Sequence, residues 1–199
     1  MTKQQKVRQI QRKLAKLLIK QGLQFLQGSF KIEKKVFEKE QIKNFLKEKC
    51  NIPSMWLCDE KYYLTDWQTW QKIIEFDWLD EKEYINEIRD CDNFAYSFSS
   101  RMSNWFGLNS AGRCSGWVYS AKTGKRLGAH AFNLILAYDG KEIVPYLFEP
   151  MTDEWTIWKG QRTKLGNWEY QITWITCFER SQFLKKRCQE RKSRKKLIK

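Results

Sequence analysis

The sequence predicts an α+β fold: a helix with a cysteine at its N-terminus, packed on an antiparallel sheet and preceded by a helical extension. Three observations predict it. Phe94, Phe98 and Met102 recur every four residues with Ala95 beside them, the buried stripe of a helix that stops at Gly107. "AFNLILAY" and "KEIVPYLF" are runs of β-formers joined by Asp139-Gly140, a strong hairpin signal. Val7, Ile10, Leu14, Leu17 and Leu18 recur at spacings of three and four among Lys, Arg and Gln, which predicts an amphipathic helix ending near Gly22 or Gly28.

The remaining elements follow in chain order. "VFEKEQIKNFLKEKC" predicts a second helix, broken by "IPSM". "KYYLT" predicts a short strand, and Thr65 with Gln68 three residues later is a capping-box start for "DWQTWQKIIEF". Asp80 and Glu83 predict a further helix start for "EKEYINEIR". Asp90 is the expected N-cap of the Phe94 helix, so Cys91 falls in its first turn. "WEYQITWITCF" alternates and is rich in β-formers, and is expected to add a strand to the sheet.

Charge divides the 199 residues. Residues 1–49 sum to +10, 179–199 to +8, and 50–178 to −4. The organisation expected is a basic helical extension over 1–49, one folded domain over 50–178, and a basic helix or tail over 179–199. Basic ends suit nucleic acid or another polyanion through phosphate neutralisation, and equally suit a solvated charge run that keeps the protein soluble. The first helix is suited to docking on its own body, on a partner or on an anionic membrane. The six cysteines (50, 58, 91, 114, 177, 188) form no CxxC pair and no Cys/His metal spacing, so neither metal nor cofactor is expected. With no secretory pattern and no run of about 18 apolar residues, the sequence predicts no transmembrane segment and a reducing, cytoplasmic setting.

His130 is the chain's one histidine. A two-residue turn at Asp139-Gly140 sets it directly opposite Glu149, on the face shared with Phe132, Leu134 and Leu136. A buried His and Glu are costly unless they pair, which leaves one ring nitrogen for another group. A helix N-terminus stabilises a thiolate at Cys91, while Asp90 and Asp92 oppose it. Cys91, His130 and Glu149 together meet the general logic of an activated thiol.

"CDNFA", "GLNSAGRCSGWV", "HAFNLIL" and "FEP" resemble the core of the papain-like and transglutaminase-like cysteine protease superfamily. The likeness is nearest to the C-terminal cysteine protease domain of mushroom agglutinins that join a lectin to a protease, and it covers roughly residues 88–155. The resemblance implies a papain-like core with Cys91 as nucleophile, His130 as general base and acid, and Glu149 orienting the imidazole. It also implies a thiol-dependent acyl-transfer enzyme, a peptidase or amidase acting on a peptide or amide substrate, with calcium dependence. Gln68 or Gln71 would be the upstream amide facing the oxyanion. The lectin repeats of those agglutinins are missing here. The alternative from another class is a non-catalytic structural or nucleic-acid-associated protein of phage type, carried with the virion, that keeps the same fold.

Overall fold

The computed structural model describes residues 32–177, together with residues 7, 9–11, 13, 14, 17, 18, 21 and 22 of the N-terminal segment. Residues 178–199, and with them the expected basic C-terminal tail, lie outside the described residues. The chain divides into two compact units, residues 1–33 and 34–199. In the first unit the described residues from Val7 to Gly22 are helical.

The second unit opens on β1 (Lys35–Glu38), which pairs antiparallel with β3 (Lys61–Leu64) in a two-stranded sheet. The expected helix from Val36 is therefore shorter: Val36 and Phe37 are in the strand, and α1 (Lys39–Glu48) follows it. The change occurs at Glu38, whose backbone N–H donates to Gln41 Oε1 at 2.9 Å in a capping box. The next helix, α2 (Trp67–Glu75), starts one residue later than expected. Asp66, not Thr65, is the cap, and it accepts from the Thr69 backbone N–H at 2.8 Å.

No helix forms over "EKEYINEIR". Ile85 and Arg89 exchange backbone hydrogen bonds across a tight loop with Glu87 at φ 62°, so their peptide groups are already paired outside a helix. The cysteine helix α3 (Cys91–Arg101) runs into a π-helical turn (Met102–Phe106) that Gly107 ends at φ 62°.

The main sheet has seven strands. Along the path β2-β9-β4-β5-β6-β7 lie Met55–Leu57, Trp168–Cys177, Ala111–Ser120, Arg126–Tyr138, Ile143–Glu149 and Glu154–Ile157, with β8 (Thr163–Leu165) also paired to β9. Only β2 runs parallel to its neighbour. From Ala131 to Ala137 every residue of β5 is buried, so both faces of the sheet are covered. Phe132, Leu134, Leu136, Leu147, Ile172 and Ile175 join Ile42 and Leu46 of α1 in one core. On the opposite side α3 packs on β4 and β5, with Phe98 4.5 Å from Phe148 between ring centroids.

The expectation of an α+β papain-like core is corrected. Among the described residues of the second unit nine strands stand against three α-helices and one π turn, which is a mostly β architecture. What the sequence reading left without an element is β4, "AGRCSGWVYS", the strand between β9 and β5. Its glycine at 116 has a packing reason. The register of β4 on β9 shifts between Ser115 and Gly116, and a Cβ at 116 would lie 1.9 Å from the Gln171 carbonyl oxygen.

The hairpin turn is also corrected. Tyr138 pairs with Ile143, leaving a four-residue loop closed by Asp139, whose Oδ1 accepts from the Lys141 and Glu142 backbone N–H groups at 2.8 Å each. Phe132 therefore takes the position opposite Glu149 that His130 was expected to hold, since Asn133 faces Phe148.

Two substitutions test this account. Gly116→Ala is expected to destabilise the fold by on the order of 3 kcal/mol through backbone overlap, read from urea unfolding. Asn133 is fully buried, and its Nδ2 donates to Ala95 O at 3.0 Å, Ser99 Oγ at 2.9 Å and Gly112 O at 3.3 Å. Asn133→Leu strands those acceptors and is expected to cost about 1–3 kcal/mol in the same measurement.

Candidate functional site

The site assembles where β5 runs beyond its pairing with β6, which begins at Asn133. α3 sets one side of it. Asp90 caps the helix with extended backbone, its N–H donating to Asn93 Oδ1 at 3.2 Å, and this puts Cys91 at the first helical position. The Cys91 sulfur meets the His130 ring and the backbone amide of Ala131. On the other side His130 Nε2 lies 2.7 Å from Glu149 Oε2.

The His130–Glu149 contact is diagonal rather than direct. A register displaced by two residues keeps both side chains on one face, because strand side chains alternate with period two. Glu149, at 3% exposure, has further support: the Tyr170 hydroxyl donates to Oε2 at 3.3 Å and the Met151 backbone N–H to Oε1 at 3.4 Å. Phe132, Trp168 and Tyr170 surround the imidazole with ring centroids 5.9–6.2 Å away.

These contacts set the charges. The hydrogen bond from His130 is the main influence on Cys91 and, with the Ala131 amide, it holds the thiol below its ordinary range against burial and the Asp90 carboxylate. Burial disfavours a charged His130, but bonds to Cys91 and Glu149 outweigh it and push the imidazole up to about 9. Burial, and then Glu149, push the Tyr170 phenol up, so it remains a proton donor. Asp92 also reaches Arg113 at 3.6 Å. The arrangement is a thiol and an imidazole in hydrogen-bond contact, backed by a buried carboxylate, and it favours the charged form of both partners.

A groove leads away from the cluster. Its inner part, about 200 Å³, is lined by Val118, Leu127, Gly128, Ala129, His130 and Trp168. An outer part of about 420 Å³ shares Leu127 and Trp168 and adds Ser120, Lys122, Lys164 and Asn167. Trp168 and Tyr170 were not singled out from the sequence, although the alternation of "WEYQI" puts both on one strand face. Gln68 and Gln71 lie on α2, whose buried face is formed by Thr69, Trp70, Ile73 and Ile74. Among the described residues no three His, Cys, Asp or Glu side chains are grouped to hold a metal ion.

The pair predicts two pH signatures. Folding raises the His130 pKa, so the imidazolium stabilises the native state fully below the unfolded value of 6.5, and that contribution is lost as pH rises through about 9. Folding lowers the Cys91 pKa, so the thiolate contributes above the ordinary thiol value and is lost as pH falls through the lowered one. Iodoacetamide should therefore label Cys91 near neutral pH faster than Cys50, whose thiol burial pushes up to about 12. His130→Ala should slow Cys91 labelling roughly tenfold or more by returning the thiol toward its ordinary value.

Comparison with known proteins changes the assignment made from the sequence. Residues 31–160 match the ricin-type β-trefoil lectin C-terminal domain. No curated protein matches the chain. Among solved structures, a PSL1a-E64 complex is similar over 71% of this chain and 50% of its own, with 18% identity and a TM-score of 0.53. The Polyporus squamosus lectin bound to the human-type influenza-binding epitope Neu5Acα2-6Galβ1-4GlcNAc is similar over 71% and 49%, with 19% identity and a TM-score of 0.52. The chain thus spans about half the length of these neighbours.

The cysteine protease assignment is corrected by these matches, since the family is named for lectins and the second neighbour is a lectin holding a glycan. The papain-like label for the fold goes with it, as do the thiol-dependent acyl-transfer enzyme and the peptide or amide substrate. The nucleic-acid-associated, phage-type alternative is likewise replaced, although its non-catalytic side fits a lectin better. None of the described helices is long and apolar enough to cross a membrane. With well over half its length matched, the chain belongs to the ricin-type β-trefoil lectin C-terminal domain family.

Proposed function

We propose that the chain is a lectin-class, carbohydrate-binding module whose ligand groove runs along Trp168 and ends at His130. The observation that carries this is Trp168, a tryptophan left 43% exposed at the junction of the two parts of one groove. An indole face takes the C–H face of a pyranose, while neighbouring amide, hydroxyl and ammonium groups meet its hydroxyls and any acid. Asn167, Ser120, Lys122 and Lys164 supply those groups. Membership of the lectin family and the glycan held by the Polyporus squamosus lectin support the same reading.

Titration with Neu5Acα2-6Galβ1-4GlcNAc, followed by tryptophan fluorescence, tests it. Binding should be saturable, and Trp168→Ala should weaken it by at least about tenfold, or ~1.4 kcal/mol, with the circular dichroism spectrum unchanged. A wild-type chain that does not bind the trisaccharide, or a Trp168→Ala chain that binds it equally well, overturns the glycan reading.

A second ligand is favoured by a separate observation. PSL1a is held in a complex with E64, and in this chain the inner groove reaches His130, whose ring is hydrogen-bonded to the Cys91 thiol. The inner groove is proposed to take E64 as well. E64 should protect Cys91 from iodoacetamide, and His130→Ala should abolish the protection. Labelling of Cys91 at an undiminished rate in saturating E64 overturns this reading. Thiols at Cys50, Cys58 and Cys91 suit a reducing compartment, the setting proposed for the protein.

A further inference from the structure

We propose that the described helical residues between Val7 and Gly22 belong to an interfacial helix that docks on an anionic lipid surface. Five apolar side chains define it. Val7, Ile10, Leu14, Leu17 and Leu18 are all helical, and each is between 48% and 64% exposed. Their spacing of three, four, three and one places them along one stripe of the helix. Gln9, Gln11 and Lys13, also helical and exposed, fall between them. An apolar stripe in water is unfavourable in proportion to its area, so a surface that covers it is stabilising.

Charge selects the surface. The first twenty residues carry seven Lys and Arg and no Asp or Glu. A second copy of this segment would bring seven more cations against the first, and the stripe spans only about two heptads, too short for helix pairing to offset that repulsion. Nucleic acid would meet the cations but leaves the apolar stripe without a partner, because its backbone is read by charge. An anionic bilayer meets both features at once: headgroups take the cations of this sequence and the acyl boundary takes the stripe. From Val7 to Gly22 a helical rise covers about 24 Å, short of a hydrocarbon core of about 30 Å, so the helix lies on the membrane rather than through it.

The test uses the full chain with two kinds of vesicle, phosphatidylcholine alone and phosphatidylcholine with one-third phosphatidylserine, by co-sedimentation at physiological salt. The wild type should partition to the serine-containing vesicles at least roughly tenfold more strongly than to the neutral ones. Leu14→Glu with Leu17→Glu changes two exposed side chains and leaves all seven Lys and Arg of the first twenty residues in place. The double variant should lose roughly tenfold or more of the partitioning while its Cys91 labelling rate stays at the wild-type value. The proposal is overturned if the wild type stays in solution with both vesicles. It is overturned equally if the double variant stays bound, which would make the attachment a matter of charge alone. A double variant that only changes the sedimentation coefficient without lipid would assign the stripe to self-association and overturn it as well.

Discussion

The site depends on one buried amide. Asn133 Nδ2 faces acceptors from α3 and β4 at once, and Ser99 Oγ, one of them, donates in turn to the Ala95 carbonyl at 3.2 Å. Helix, strand and neighbouring strand are thereby joined through a single side chain with no solvent to compete. This fixes how far α3 slides along the sheet, and the position of its N-terminus follows. Cys91 comes to rest at the Ala131 amide, two residues from Asn133 along β5, with His130 next to it. At the other end of α3, Arg101 pairs with the buried Asp77 and lies over the Trp78 and Trp105 rings. The helix is held at both ends by polar contacts, and its middle by Phe94 and Phe98.

Much of the local structure was legible. The four-residue spacing of Phe94, Phe98 and Met102 marks α3, and Asp90 marks its start, because caps and stripes depend on residues close in sequence. The register between β5 and β6 was less so. Asp-Gly favours a two-residue turn, but Asp139 accepts two backbone N–H groups farther on and opens a longer loop. A two-residue error preserves the face, so His130 and Glu149 meet although their predicted opposition is wrong. β4 was missed because its glycine and serines answer to β9, a strand more than fifty residues away, and no local pattern carries that contact. "EKEYINEIR" has helical spacing that a tight Ile85–Arg89 pairing overrides.

Function was the least legible. A thiol, an imidazole and a carboxylate within bonding reach determine where protons sit, and that much follows from residue types and their positions. They do not determine what enters the groove beside them, because the same local chemistry recurs on proteins of different purpose. The aromatic wall proposed to meet the ligand, Trp168 and Tyr170, comes from the last described strand of the sheet. Family membership rests on residues 31–160, which stop short of that wall.

The place of β9 has a consequence for how the molecule comes into being. This strand, Trp168–Cys177, lies inside the sheet between β2 and β4, and also receives β8, yet it is the last described segment in sequence. A chain emerging from the ribosome has β2, β4, β5 and β6 available long before the strand that joins β2 to the rest. Until residue 177 is free, the nascent sheet exposes an unpaired edge of β4, and Glu149 lacks the Tyr170 hydroxyl that helps hold it. Folding is therefore completed from the C-terminal side, after nearly all of the described chain has been made.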